Sequence, residues 1–401
     1  MNILTITSLY PNAQQPRHGI FIESRLKHFL ARHPEHNISV MAPVPYFPLA
    51  GHLSSRYRKH AEVQPVELRA GISVFHPRYL MLPGIGMYIQ PYLYYRAIRK
   101  LGKDLARQGQ QFDLIDAHYV YPDGVAATRL ARDLKVPVTI TARGSDITLL
   151  PRFRLPRRLI RRALEAADAC IGVCQALTEE MRRLAPGQTN FRVLRNGVDL
   201  KLFTPLPETE RSAQRRKLGL SDGLVLLCVG NLIELKGQHL VIEALEQLPA
   251  ATLLLVGEGE AEVALRNQVQ KARLQDRVLF MGNQSQQELA KIYACADILV
   301  LASSREGWAN VLLESMACGT PVIATAVWGT PEVVQSPDAG LLIEARTAAA
   351  IAEAVRSLHA SPPPQGATRA YAEKFSWDST SDSLDRLLNS LLAPTGVNQT
   401  D

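Results

Sequence analysis

Short continuous runs of Val, Ile, Leu and Ala recur along the chain, separated by amphipathic stretches of helical period. Strand-like runs fall at Asn2–Thr7, Ile38–Ala42, Leu114–Ala117, Val138–Thr141, Ala169–Val173, Leu224–Val229, Thr252–Val256, Val278–Phe280, Ile298–Leu301 and Val322–Ala324. Helical patterns lie between them, at Phe21–Arg32, Pro156–Ala166, Gly237–Leu248, Glu260–Ala272 and Gln286–Ala294. Runs that are apolar throughout, rather than alternating, predict parallel strands covered by helices on both faces. The pattern occurs twice, so the fold expected is α/β with two doubly wound Rossmann-like domains facing across a cleft. The polar stretch Val198–Ser221, with Pro205 and Pro207, marks the break. The expected division is 1–200, 201–376, a closing helix over 377–393 that packs back on the first domain, and a disordered tail over 394–401.

A length of 401 residues agrees with two cores, and the 46% hydrophobic, 21% charged composition is that of an ordinary globular chain. Mean hydropathy is −0.04. The chain opens directly on a strand pattern and holds no apolar run of about 20 residues, so neither a leader peptide nor a membrane span is expected. The five cysteines sit in apolar surroundings, with Cys170 and Cys174 spaced for neither a redox pair nor a zinc half-site. Reduced core thiols in a cytoplasmic protein are the expectation.

Charge changes the picture once it is divided. Residues 1–200 carry 28 Lys/Arg against 15 Asp/Glu, a net of +13, so the remainder of a chain of net +7 is at −6. A basic first half points to an anionic partner. The bias is densest in Arg152–Arg162, where six arginines interleave with Phe153, Leu155, Leu159 and Ile160. Such a segment can lie on an anionic leaflet, and it equally fits a solvated helix face. Tyr79–Tyr95, rich in Tyr, Leu, Met, Ile and Pro, is a candidate docking surface beside it.

In doubly wound sheets, chemistry gathers just beyond the carboxyl ends of strands. The densest constellation there is Ser303–Pro321 (SSREGWANVLLESMACGTP), which reads as strand end, turn and helix start. Free amides and the dipole at a helix start make a phosphate site. Glu306 precedes that helix and Glu314 lies in its early turns, placed to hold hydroxyls at either end of a diphosphate. Taken alone, the pair is better read as a cap-region acid and a solvated helix residue; the strand–turn–helix context followed by Ala317–Pro321 turns it towards the functional reading. Lys236 precedes a helix start, where cations are otherwise unfavourable. His118 follows a strand, as do Arg143 and Asp146; a core histidine satisfied by a neighbour is the alternative for His118.

Ser303–Pro321 resembles the signature of glycosyltransferase family 4, retaining enzymes of GT-B architecture. Val229–Gly237 (VGNLIELKG) resembles the family's phosphate loop, while Leu254–Gly259 and Phe280–Asn283 resemble its base-side loops. Asn196–Asp199 resembles its domain-junction motif; Pro16–Glu23, Asp116–His118 and Thr139–Asp146 resemble acceptor-side and cleft segments. The resemblance covers nearly the whole chain. It implies that Lys236 binds the donor diphosphate and that Glu306 contacts the transferred sugar. Gly307, Trp308, Ala309, Asn310 and Val311 would meet sugar and phosphates, and Glu314 the ribose. Glu258, Gly259, Asn283 and Gln284 would lie along the nucleotide, Gly19 would let backbone approach the phosphates, and His118 would stand near the reacting sugar. Arg143 and Asp146 are cleft or acceptor-side candidates. Asn231 stands where the family usually has arginine, with Arg305 or Arg143 as the compensating charge. Trp308-Ala309 replaces the common Phe-Gly and is expected to reshape the sugar pocket.

The implied activity is metal-independent, retaining transfer from a nucleotide-diphosphate sugar to a saccharide or lipid-linked acceptor, with no cofactor. The setting would be cell-surface polysaccharide or glycolipid assembly at the inner face of the cytoplasmic membrane. No Asp-x-Asp pair occurs in the chain, in keeping with lysine and helix amides stabilising the diphosphate. An epimerase or a pyridoxal-phosphate phosphorylase on the same fold would need, respectively, no acceptor or a lysine-bound cofactor. A nucleic-acid-binding protein has only the arginine segment in its favour, and no nucleic-acid partner is expected.

Overall fold

The computed structural model describes residues 1–47, 60–81, 86–220 and 223–393. The expected tail over 394–401 and part of Tyr79–Tyr95 lie outside them. Two compact units divide the chain, Met1–Asn196 with the C-terminal Trp377–Asp401, and Gly197–Ser376. The division falls between Asn196 and Gly197, a few residues before the position expected from sequence.

In the first unit the strands are β1 (Asn2–Ile6), β2 (Asn37–Met41), β3 (Val44–Tyr46), β4 (Val66–Arg69), β5 (Ile72–Phe75), β6 (Arg78–Leu80), β7 (Leu114–His118), β8 (Val138–Ala142), β9 (Ala169–Gly172) and β10 (Phe191–Val193). Eight form one sheet in the order β10-β9-β8-β7-β1-β2-β5-β4, and β3 pairs with β6 separately. All pairs are parallel except the β4–β5 hairpin. That hairpin, the β3–β6 pair and β10 are absent from the sequence-based expectation, because each is short and β4 and β5 are only half-buried, without a continuous apolar run. The principal helices are α1 (Ile20–Arg32), α2 (Gly86–Arg107), α3 (Val125–Leu134), α4 (Arg154–Ala166) and α5 (Gln175–Leu184). Much of the aromatic segment up to Tyr95 is therefore the start of α2, which buries Tyr94 and Ile98 and leaves Tyr88 and Tyr92 exposed.

The second unit carries β11 (Leu224–Val229), β12 (Ala251–Val256), β13 (Val278–Gly282), β14 (Ile298–Leu301), β15 (Val322–Thr325) and β16 (Gly340–Ile343), ordered β13-β12-β11-β14-β15-β16 and wholly parallel. Around it lie α6 (Glu208–Lys217), α7 (Gln238–Ala244), α8 (Glu262–Lys271), α9 (Gln286–Cys295), α10 (Asn310–Ala317), α11 (Ala348–Ala360) and α12 (Gln365–Glu373). The reversal of strand order beside β11 makes a switch point, where strand ends open a crevice. The core joins Leu226, Leu253, Leu255, Val241 and Ile242 to Ile351 and Val355 of α11.

The last helix, α13 (Trp377–Leu392), returns to the first unit. Its Leu384, Leu387 and Leu388 fall on one face and pack with Ile22, Leu26 and Phe29 of α1. All five cysteines are buried and free. Among the described residues, no helix is long and apolar enough to cross a membrane.

Candidate active site

In the second unit, the loops after β11, β12 and β13 are laced by backbone hydrogen bonds. Gly230 N–H donates to Val256 O (3.0 Å), Leu232 N–H to Glu258 O (2.9 Å), Ala261 N–H to Leu232 O (2.9 Å) and Gly257 N–H to Gly282 O (2.8 Å). This lacing sets Asn231, Glu258, Gly259 and Asn283 side by side on exposed loops. Gln284 is half-buried, its amide donating to Met281 O at 2.5 Å.

The phosphate-loop candidate ends in one tight turn, Glu234–Lys236, followed by Gly237 at φ 74°. A Cβ at Gly237 would fall 2.1 Å from Ala302 O, so only glycine lets this backbone lie against the end of β14. Two further contacts lock the loops together. Ser304 N–H donates to Leu235 O (2.9 Å), and Arg346 donates to Ala302 O (2.8 Å) and Glu234 O (3.1 Å). Lys236 Nζ then reaches Glu306 Oε1 at 2.5 Å, and the same oxygen accepts Ser303 Oγ at 2.6 Å. Glu306 is buried, whereas Lys236 keeps part of its side chain accessible. Arg305 lies next to the pair and makes no ion pair or side-chain hydrogen bond among the described residues.

Gly307, Trp308 and Ala309 lead into α10, which begins at Asn310 and Val311. Trp308 is buried, its ring 6.1 Å from that of Phe375, so the side chain packs inside the unit. Glu314, in the second turn, accepts Tyr293 Oη at 2.8 Å. Burial pushes its carboxyl up to about 7, against the pull of the Tyr293 hydrogen bond. A lysine and a carboxylate therefore meet just before a helix start, with a second carboxylate in that helix's second turn, a set able to take an anionic diphosphate flanked by hydroxyls.

In the first unit, Gly19 is left-handed (φ 70°) and its missing Cβ would sit 2.1 Å from Leu9 O, so close approach to the chain's own backbone already demands glycine there. His118, at the end of β7, is wholly buried. Its Nε2 lies 3.0 Å from Asp116 Oδ2, and its Nδ1 accepts from Arg143 at 2.6 Å. Burial first, and then Arg143, push the imidazole down to about 4, with Asp116 opposing. Asp116 is held down to about 2: burial acts the other way but is outweighed by His118, Arg25 and the Thr139 hydroxyl. Arg143 also donates to Asn196 Oδ1 (3.0 Å) and stacks on Phe21, 5.3 Å from the ring centre. Burial pulls its guanidinium down to about 9. Asp146 accepts the amides of Val120 (2.8 Å), Arg143 and Gly144 (2.7 Å), pinning the strand-end turn. Arg143 is thus committed within its own unit, which leaves Arg305 as the uncommitted cation of the two.

Four participants escaped the sequence reading: Ser303, Tyr293, Arg346 and Arg25. Arg25 is 1% exposed on the apolar stripe Ile22–Arg25–Leu26–Phe29, with no hydrogen-bond partner on any guanidinium nitrogen. An arginine at i+3 from Ile22 and i−4 from Phe29 was the available signal.

Comparison with known proteins identifies the family and the fold. The model of the family "Glycosyl transferases group 1" matches residues 210–375, and that of "Glycosyltransferase Family 4" matches residues 26–202. A Bacillus subtilis (strain 168) protein named "Putative teichuronic acid biosynthesis glycosyltransferase TuaC" is 30% identical over 88% of each chain. The N-acetyl-alpha-D-glucosaminyl L-malate synthase of Bacillus anthracis is 30% identical over 61% of this chain and 65% of its own. Among solved structures, a sucrose-phosphate synthase of Thermosynechococcus elongatus superposes with TM-score 0.80 at 22% identity, covering 98% of this chain and 99% of that one. Anabaena HepE in complex with UDP-glucose superposes with TM-score 0.72 at 21% identity, covering 97% and 100%.

Proposed function

This chain belongs to glycosyltransferase family 4, with the GT-B fold, and on that premise we propose that it transfers a sugar from a nucleotide-diphosphate donor with retention at the anomeric carbon. The observation that carries the reading is the Lys236–Glu306 pair at the start of α10. The resemblance supplies the roles, and the geometry supports them. Lys236 and the α10 amides meet the diphosphate, Glu306 the transferred sugar, and Glu314 the ribose. Glu258, Gly259, Asn283 and Gln284 lie along the base side. Arg305 supplies the positive charge that Asn231 lacks. His118 has no surface open to a ligand in this structure. Its part is to hold Arg143 and Asp116 in place near the acceptor side.

The chemistry is a front-face displacement. The bond from anomeric carbon to diphosphate oxygen breaks, its electron pair staying on the diphosphate, where Lys236 and the helix amides stabilise the growing charge. The acceptor oxygen attaches on the same face, and its proton passes to a leaving-phosphate oxygen. No cofactor is assigned, and Lys236 rather than a metal ion carries the charge in this scheme.

The acceptor we assign is a saccharide or lipid-linked saccharide in cell-surface polysaccharide or glycolipid synthesis, a reading supported by the Bacillus subtilis relative, whose name gives teichuronic acid biosynthesis. The protein would work in the cytoplasm at the inner membrane face. Arginines 152, 154, 157, 158, 161 and 162 of the α4 region are exposed, beside exposed Phe153 and Leu155. Flotation with anionic liposomes tests this, and a protein that ignores them removes the membrane from the scheme.

The donor is tested by thermal shift with UDP, GDP, ADP and their sugar conjugates on wild type and Glu314→Ala. Stabilisation by one nucleotide, lost in the variant, is expected; no response to any would overturn the reading. Proton NMR of the product's anomeric centre decides retention.

A further inference from the structure

We propose that His33, Glu35, His36 and Asp385 form a site for one divalent transition-metal ion of the zinc class, tying the α1–β2 turn to the C-terminal helix α13. One donor atom from each of the four lies within 4.8 Å of all the others. His36 Nε2 is 2.7 Å from Asp385 Oδ1 and 3.6 Å from Glu35 Oε1, and His33 Nδ1 is 3.6 Å from the same Glu35 oxygen. A tetrahedral shell at about 2.0–2.1 Å puts ligands about 3.4 Å apart, so only modest side-chain rotation closes the set. Glu35, with 60% of its side chain accessible, is free to make that movement.

Two imidazoles and two carboxylates suit Zn²⁺, Co²⁺ or Ni²⁺ rather than Mg²⁺ or Ca²⁺. The surroundings resemble an outer shell. His33 Nε2 lies 3.2 Å from Asp382 Oδ1, which leaves Nδ1 for the metal and fixes the ring. Asp382 is itself held by Arg32 at 2.9 and 3.0 Å. The His33 and His36 rings stack 6.0 Å apart, and His36 packs on Phe29 at 5.5 Å. Asp382 and Asp385 are i, i+3 on α13 and so share a face.

The site lies in the first unit, whereas Lys236, Glu306 and Glu314 lie in the second, and it is structural. It departs from the sequence expectation of a chain without metal. Its charged neighbours are Met1, Arg32, Glu35, Asp382 and Asp385. The amino terminus lies 3.2 Å from His36 Nδ1.

The test uses tag-free, chelator-stripped full chain titrated with Zn²⁺ and with Co²⁺. Expected are one equivalent bound, visible Co²⁺ bands of a four-coordinate site, a raised Tm, and slower proteolytic release of α13. His33→Gln and Asp385→Asn should each weaken binding at least tenfold while leaving the metal-free Tm within a few degrees, and sugar transfer should be insensitive to chelator. Absence of bands and of a Tm shift in wild type overturns the proposal. So does undiminished binding in the His33→Gln/Asp385→Asn double variant, which would place the metal elsewhere.

Discussion

Glu314→Gln separates two roles of one carboxyl. The side chain accepts Tyr293 Oη at 2.8 Å, and burial lifts its carboxyl from 4.5 to about 7. A raised acid binds its proton more tightly when folded, so the folded state is favoured below pH 4.5 and loses that advantage as pH rises through 7. Each pKa unit is worth about 1.4 kcal/mol, so relative to a side chain that stays neutral the carboxyl lowers folding stability by about 1 kcal/mol at pH 5 and about 3 kcal/mol at pH 8. The side chain keeps some accessible surface, and water makes these figures ceilings. Glutamine keeps an oxygen for Tyr293 and removes the ionisation. Relative to wild type, the variant should therefore gain up to about 2 kcal/mol of stability between pH 5 and pH 8. In a unit of this size that is a Tm difference of about 4–8 °C, opening with pH. The same variant should bind its nucleoside diphosphate roughly tenfold to a hundredfold more weakly, as one charge-assisted hydrogen bond is lost. Paired thermal melts from pH 5 to pH 9 and a nucleotide titration measure both. A melting difference flat across that range refutes the burdened carboxylate; unchanged nucleotide affinity refutes the ribose role.

Lys236→Met should lower turnover about 10²- to 10³-fold with a much smaller change in nucleotide affinity, since the ammonium acts chiefly on the charge that develops on departure. Steady-state kinetics beside a binding titration check this, and equal losses in both would contradict it. Gly237→Ala places a Cβ 2.1 Å from Ala302 O at φ 74° and should destabilise the second unit by more than about 2 kcal/mol in denaturant melts. In the first unit, His118 should titrate near 4 by NMR, and its midpoint should move up in Arg143→Met, which removes a neighbouring positive charge. Because its folded pKa is depressed, stability should fall as pH drops from 6.5 towards 4; an unmoved midpoint would show that burial alone sets the shift.

The sequence by itself determined the doubly wound α/β class, the repetition of the pattern and most of the central strands, because long apolar runs buried on both faces leave an unambiguous local signature. It also set the start of α13 at Trp377, and placed its end one residue beyond the observed Leu392. Motif order led to the strand-end loops that carry Lys236, Glu306 and Glu314. What it could not give is the pairing of side chains far apart in the chain. Lys236 meets Glu306 across 70 residues only because Gly237 lets one loop lie against the end of β14 while Arg346 fastens both. The short strands β3 to β6 were invisible for a related reason: half-buried segments of three or four residues become strands only when a neighbour completes their hydrogen bonds. Likewise, nothing local distinguishes a cleft histidine from a core one. The tertiary structure closed His118 between Asp116 and Arg143, gave Arg25 a buried place on the stripe of α1, and brought Asp385 back to His36 from the far end of the chain. Burial and long-range charge belong to the assembled fold, and so the ionisation of His118, Asp116, Arg143 and Arg25 does as well.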